Sequence, residues 1–188
     1  VAAPIAKTAG GNATLSLNAA STISFSAGAT VTSTAGALGL SLATTGGAIT
    51  NLPNIDLNGG TLTLSSTATS TQVAGGVISG NTSVVKAGAS TFQLRAGQTY
   101  TGTTTINGGS LQLTAANALP DATAVTINSG TLNLANFSDT VGSVGGAGSV
   151  SLGTATLTTG GNNASTTLGG VISGAGGLIK NGTGTFTL

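Results

Sequence analysis

Apolar and small polar residues alternate along this chain in short runs, and each run stops at a glycine or at Asn-Gly. The clearest case is Thr104-Thr105-Ile106-Asn107-Gly108-Gly109-Ser110-Leu111-Gln112-Leu113, answered by Val125-Thr126-Ile127-Asn128-Ser129-Gly130-Thr131-Leu132-Asn133-Leu134, with Ile106 and Ile127 standing 21 residues apart. A third version, Ile55-Asp56-Leu57-Asn58-Gly59-Gly60-Thr61-Leu62-Thr63-Leu64, shares the pattern but lies 49 residues before the first, so it falls outside the strict count. Period-two alternation predicts a strand, and glycine and asparagine tolerate the positive φ of a sharp bend, so each phrase predicts a strand, a corner and a strand. A repeat of about 20 to 25 residues is the signature of a solenoid. The predicted fold is all-β: a right-handed parallel β-helix, or β-solenoid, of about 20–25 residues per coil. Its handedness comes from the crossover rule.

Stacking sets the expected columns. Ile106 should lie over Ile127, Leu111 over Leu132 and Leu113 over Leu134, while Asn107 should lie over Asn128 with amides bonded along the stack. At 21 residues per coil the chain would make about nine coils, a rod about 43 Å long at about 4.8 Å per coil. Residues 1–188 are expected to form a single solenoid segment of a longer repetitive polypeptide. Further strand candidates fall at Ile23 to Phe25, Ala29 to Thr32, Leu38 to Leu42 and Ala48 to Thr50, and no helix of useful length can be drawn there. Pro53 and Pro120 fall between strands, where a missing amide donor is harmless.

The strongest internal match pairs residues 75–94 with residues 169–188 at a constant offset of 94. Gly75-Gly76-Val77-Ile78-Ser79-Gly80 recurs as Gly169-Gly170-Val171-Ile172-Ser173-Gly174, and Lys86-Ala87-Gly88-Ala89-Ser90-Thr91-Phe92-Gln93-Leu94 recurs as Lys180-Asn181-Gly182-Thr183-Gly184-Thr185-Phe186-Thr187-Leu188. This is duplication. A weaker echo, Ile5 to Leu17, carries two extra residues between Lys7 and Leu15.

Composition agrees with a solenoid: 39% hydrophobic, 4% charged, 3% aromatic and 32 glycines, which suits a narrow aliphatic core with small corners and outward Ser and Thr. A net charge of +1, spread over Lys7, Lys86, Arg95 and Lys180 against Asp56, Asp121 and Asp139, makes no electrostatic footprint for nucleic acid. There is no cysteine for a disulfide or a thiolate metal site. No stretch reads as a transmembrane helix or a signal peptide.

With these residues in place, the chain resembles the passenger-associated transport repeat, also called the autotransporter-associated β-strand repeat, of bacterial autotransporter passenger domains. The resemblance rests on Gly-Gly-Leu-Ile-Lys-Asn-Gly-Thr-Gly-Thr-Phe-Thr-Leu at 176–188, and on residues 75–113 with their Lys-to-Phe spacing, Tyr100-Thr101-Gly102 and Asn107-Gly108-Gly109. It implies a surface-displayed or secreted β-helical passenger of a Gram-negative bacterium, whose repeats assist export and folding outside the cell. It also implies an outer-membrane barrel elsewhere in the parent protein, because this chain carries no series of alternating strands with aromatic girdles.

Catalytic chemistry is not expected. A β-helical polysaccharide lyase or hydrolase needs paired carboxylates, or a metal and a base, in one groove, and the chain has neither Glu nor His. Asp56, in a strand phrase beside Asn58, Asp121, a turn residue after Pro120, and Asp139 all read as structural, since loop and corner aspartate is ordinary. No serine has a histidine to activate it, Gly145-Gly146-Ala147-Gly148 lacks the aspartate of a calcium repeat, and no metal or cofactor is expected. Lys86 and Lys180 read as solvated charges on the outer wall that discourage edge pairing. Tyr100 reads as a corner or core aromatic with its hydroxyl in water, and Phe25, Phe92, Phe137 and Phe186 read as core fillers.

The expected function is a non-catalytic structural stalk or adhesin segment of a surface filament or passenger, at the cell surface or secreted. Expected partners are adjoining coils, end-to-end copies and an unidentified receptor. The alternative is an ice-binding face built from Thr61/Thr63, Thr99/Thr101/Thr103 and Thr154/Thr156, but these pairs do not recur at the 21-residue step.

Overall fold

The computed structural model describes residues 1–95 and 97–188. Its strands wind into a β-solenoid of about 8 turns, with no helix among the described residues. Every strand pair is parallel, which follows from stacking like on like in successive turns.

Three faces make up each turn. The first face carries Ile5–Lys7, Thr30–Ser33, Asn54–Asp56 and Ile78–Ser79 in one sheet, and further along Asp139–Thr140, Thr156–Thr159 and Gly177–Lys180 in another. The second face is a seven-stranded sheet running from Ala13–Ala19 through Leu38–Thr44, Thr61–Ser65, Ser83–Ala87, Thr104–Ile106 and Ala124–Ile127 to Ser143–Gly145. It continues into Thr166–Thr167 and Phe186–Thr187 through the bridge between Gly146 and Leu168. The third face is a six-stranded sheet from Ser70–Thr71 through Thr91–Leu94, Ser110–Leu113, Thr131–Asn133 and Ser149–Gly153 to Ile172–Gly174.

The columns expected at Ile106 and Leu111 form. Ile106 pairs with Ile127 and Leu111 with Leu132, all four at 0% exposure. Asn128 Nδ2 donates to Asn107 Oδ1 at 2.9 Å, so the corner amides bond along the stack. Other corners use the same device with different atoms. Asn12 Oδ1 accepts from Ala37 N at 2.9 Å, Asn136 Oδ1 from Thr154 N at 3.0 Å and Asn163 Oδ1 from Thr183 N at 2.9 Å, each tying one corner to the next turn. Gly130 has φ +87, and a Cβ there would meet the carbonyl carbon of Gly108 at 2.9 Å, so stacked corners approach too closely for a side chain.

Turn length is less regular than a fixed count. Along the second face the step falls from 25 residues (Ala13 to Leu38) to 19 (Val125 to Val144). On the third face it touches 18 (Thr131 to Ser149). Apart from a shift between Ser151 and Gly153, strand registers hold because slack is taken up in the corners.

Two sequence matches change meaning in three dimensions. In the phrase at 55–64, Leu62 and Leu64 lie on the second face, in the column of Val84 and Lys86, whereas Leu111 and Leu113 lie on the third. The same words therefore turn different corners. The duplication behaves likewise. Residues 75–94 run over the first, second and third faces in that order, whereas residues 169–188 begin on the third, continue on the first and end on the second. An offset of 94 residues is not a whole number of turns, so the second copy is rotated by one face. A phrase encodes a local strand and corner, and any face accepts it.

Core burial fixes the sensitive positions. Leu111→Ala, between Phe92 and Leu132 in a dry column, is expected to cost about 2–5 kcal/mol by urea denaturation, while Thr105→Ala on the outer wall should stay within about 0.5 kcal/mol. Equal effects at both positions would contradict this packing.

Candidate functional site

The three carboxylates have different fates. Asp56 is half-buried on the first face, its Oδ1 accepting from Asn58 N at 3.1 Å across the corner. Asp121 is exposed in the turn after Pro120, where Thr123 N donates to Pro120 O at 3.0 Å. Asp139, expected as a loop or corner residue, instead starts the strand Asp139–Thr140 and is 3% exposed. Its Oδ2 accepts from Ala118 N at 2.8 Å and Leu119 N at 3.2 Å, while its Oδ1 has no partner. Burial pushes its pKa up to about 6 against those backbone donors, and the nearby charge of Asp121 pushes the same way. Among the described residues, no three acidic, cysteine or histidine side chains gather where they could hold a metal.

Tyr100 lies close to this carboxylate, and its hydroxyl is not in water. It is 1% exposed, and its Oη shares a 2.5 Å hydrogen bond with Thr104 Oγ1. Thr104 Oγ1 in turn lies 3.3 Å from Thr123 Oγ1, which donates to Gly102 O at 2.9 Å. Burial, and secondarily the nearness of Asp139, raises the phenol far above its usual range. This interior hydroxyl chain threads successive turns and satisfies groups that a purely aliphatic core would leave bare.

The lysines overturn the outer-wall reading. Lys86 is 0% exposed and stands in register between Leu64 and Ile106, in the inward column of the second face. Its stem packs where an aliphatic side chain would, and its ammonium curls into the corner, donating to the carbonyls of Ala87 at 2.5 Å, Gly88 at 3.0 Å and Gly108 at 3.3 Å. Burial lowers its pKa to about 8. Lys7 donates to Ala9 O and Gly10 O, both at 3.2 Å, and to Ala35 O in the following turn. Lys180, half-buried, donates to Asn181 O and to Gly182 O at 3.3 Å. Its stem runs over Gly160, where a Cβ would come within 2.7 Å of Lys180 Cδ and Cε. A lysine closing a strand just before a glycine corner is thus a recurrent inward clasp.

Sequence reasoning missed the glutamine pair. Gln72 and Gln98, 1% and 5% exposed, exchange amide bonds: Gln72 Nε2 donates to Gln98 Oε1 at 2.9 Å, and Gln98 Nε2 to Gln72 Oε1 at 3.1 Å. Gln98 Oε1 also accepts from Ile78 N at 2.8 Å, and Arg95 Nε donates to Gln72 O at 2.9 Å. Gln98 shares the inward phase of Tyr100, two residues on, which was a legible signal. Among the phenylalanines, Phe25 and Phe92 are buried and Phe186 packs partly against the core, but Phe137 is 38% exposed. It follows Ala135 and Asn136, at φ 48 and 72, and that tight bend carries it to the surface. The threonine pairs are dispersed: the column of Thr63 meets Val85 in the next turn, whereas Thr99 and Thr101 bond to the first face through Ile78 O and Gly80 O.

Two titrations test this interior. The folded-state pKa of Asp139 lies above its unfolded value of 3.8, so the folded protein binds the extra proton and stability falls as pH rises from about 4 to 6, by at most about 3 kcal/mol. Asp139→Asn should flatten that slope in urea titrations; an unchanged slope would remove Asp139 as its origin. Lys86 has the opposite linkage, because its folded pKa of about 8 lies below its unfolded value of 10.5, so stability should rise with pH between the two. Lys86→Leu, matching Leu64 below it, should abolish the rise and leave stability at pH 7 within about 1 kcal/mol, relief of desolvation offsetting three lost carbonyl bonds. A large loss at pH 7 would show that the ammonium carries the corner.

Comparison with known proteins falls on this same region. No curated protein and no solved structure matches the chain. Residues 84–113 match the family model described as a passenger-associated-transport-repeat. That stretch begins in the strand Ser83–Ala87, and it takes in the Lys86 clasp, Phe92, Gln98, the Tyr100 hydroxyl chain and the Asn107 corner before ending with the strand Ser110–Leu113. The matched repeat holds several of the polar ties between turns, and others lie outside it.

Proposed function

We propose that this chain is a β-solenoid stalk segment of an autotransporter-type passenger, displayed on or secreted from a Gram-negative cell. The transport-repeat match at 84–113, set within about 8 turns of β-solenoid, carries this reading. Parallel ladders and an aliphatic core make an extended scaffold about 40 Å long at about 4.8 Å per turn. Its role is mechanical and non-catalytic: to hold a more distal binding region, such as an adhesive tip, away from the membrane. The absence of cysteine suits a chain that crosses membranes unfolded. The outer-membrane barrel that such a passenger requires belongs to the parent polypeptide. The ice-binding alternative draws no support from threonines dispersed over different faces.

Antibodies against the purified chain should label intact bacteria expressing the parent gene, and external protease should remove the signal without cell lysis. Labelling that appears only after permeabilisation would refute surface display.

A further inference from the structure

One aromatic side chain stands outside the core, and the backbone is bent to put it there. Phe137 is 38% exposed, whereas Phe25, Phe92 and Tyr100 are each 1% exposed. It follows Ala135 at φ 48, the one residue other than glycine and asparagine with a positive φ among the described residues, so a Cβ is held in the left-handed region. Three ties fix the bend: Asn133 Oδ1 accepts from Ala135 N at 2.9 Å, Leu134 O from Phe137 N at 2.8 Å and Asn136 Oδ1 from Thr154 N at 3.0 Å. Burial of the ring would be favourable, so a strained and pinned corner that exposes it points to a use at the surface. The register sets its neighbours. Leu94 pairs with Leu113 and Gln112 with Asn133, so Arg95, Thr114 and Ala135 follow in one outward line. The corners beyond them are stacked, Gly97 N donating to Asn117 O at 3.4 Å and Asn117 N to Ser138 O at 3.2 Å. Arg95 therefore lies two turns, about 10 Å, from the corner of Phe137, and the turn between carries only the small residues Thr114, Ala115 and Ala116 there. Arg95 is exposed; its Nε donates to Gln72 O at 2.9 Å, and its two terminal amino groups have no partner among the described residues. Beside it, Gln93 Nε2 donates to Gln112 Oε1 at 3.1 Å, which leaves Gln93 Oε1, Gln112 Nε2 and Asn133 Nδ2 unpartnered among the described residues.

We infer that the saddle between Arg95 and Phe137 on the side of the solenoid binds an acidic glycan, a carboxylated sugar joined to a neutral one, laid along the stack of turns. The free edge of the Arg95 guanidinium takes the carboxylate, the complementary charge it lacks within the chain. The amides of Gln93 and Gln112 present one acceptor and one donor to ring hydroxyls. The neutral sugar sets its C–H face on the Phe137 ring, where dispersion and apolar burial favour it. The small residues of the middle turn leave room for the ring between. A protein partner would need an apolar cluster at the centre of its contact, and Phe137 is the only exposed large apolar side chain in these three turns. One guanidinium makes no footprint for nucleic acid. The site needs only the register of these turns and holds wherever the protein is displayed.

The test titrates a hyaluronan hexasaccharide, in which glucuronate alternates with an uncharged hexosamine, into the intact isotope-labelled chain, with a neutral chitin hexasaccharide in parallel. Amide resonances of residues 93–95, 112–116 and 133–138 should shift with hyaluronan. Binding should weaken about tenfold for Arg95→Gln and about fivefold for Phe137→Ala. Gln112→Ala, an outward side chain with no backbone tie among the described residues, should weaken it about threefold, and Thr105→Ala on the second face should bind as the parent does. Amide spectra of the variants that match the parent away from the site separate a lost contact from a lost fold. No shifts, shifts centred on another face, or undiminished binding by the Arg95→Gln, Phe137→Ala and Gln112→Ala chains would overturn the site. Chitin binding as tightly as hyaluronan would overturn the role of the carboxylate. Shifts at the same residues on raising the protein concentration without sugar would make a second copy the occupant and overturn the glycan.

Discussion

A turn of this solenoid cannot satisfy its own backbone. The ladders run between turns, so each strand offers N–H and C=O groups that only the turns above and below can accept, and each turn is both lid and template. This requirement explains why so few aromatic residues suffice. Side chains need only fill a narrow interior whose walls are already fixed by the ladders, and aliphatic columns such as Leu111 over Leu132 do that. It explains the corners as well, because bends stacked at strand spacing leave no room for a Cβ at Gly130 and favour asparagine, whose amide reaches the next turn.

The columns around Ile106 and Ile127 were legible because both period and register are written in consecutive residues: alternation names the inward side and the repeat names the partner. What could not be read is which face a phrase occupies. The phrases at 55–64 and 104–113 look alike, yet one turns from the first face to the second and the other from the second to the third, since a strand and corner carry no label for their position round the coil. The rotated duplicate makes the same point over a longer span. Face identity is a sum over all preceding corner lengths, and the step from one turn to the next varies between 18 and 26 residues.

Charge and polarity were misread for a different reason. Residue type reads Lys86 as a solvated charge that discourages edge pairing, whereas its position in the alternation, in phase with Val84, places it inside. Pattern outranked residue type here, since a long apolar stem can occupy a column while its ammonium turns into a corner full of carbonyls. Tyr100, Gln98, Gln72 and Asp139 follow the same rule: each lies inward by phase, and each brings a polar group that must find partners across turns. Phe137 is the converse case, a large apolar side chain carried outward by the left-handed residues before it.

These interior polar groups are spread along the solenoid, inside and outside the matched repeat, and what they contribute is specificity rather than strength. Leucine in the column of Lys86 serves at Leu64, so burial alone does not require the ammonium. An aliphatic column is indifferent to which turn stacks on it, because Leu, Ile and Val fill nearly the same space. A lysine needs carbonyls at one corner, Gln72 needs an amide opposite it, and Tyr100 needs the hydroxyl of Thr104, so a turn slipped by one phrase leaves charged or polar groups buried without partners. In a chain whose phrases are interchangeable among faces, such groups reject wrong registers that hydrophobic burial would accept. They place that discrimination at the step where one turn receives the next.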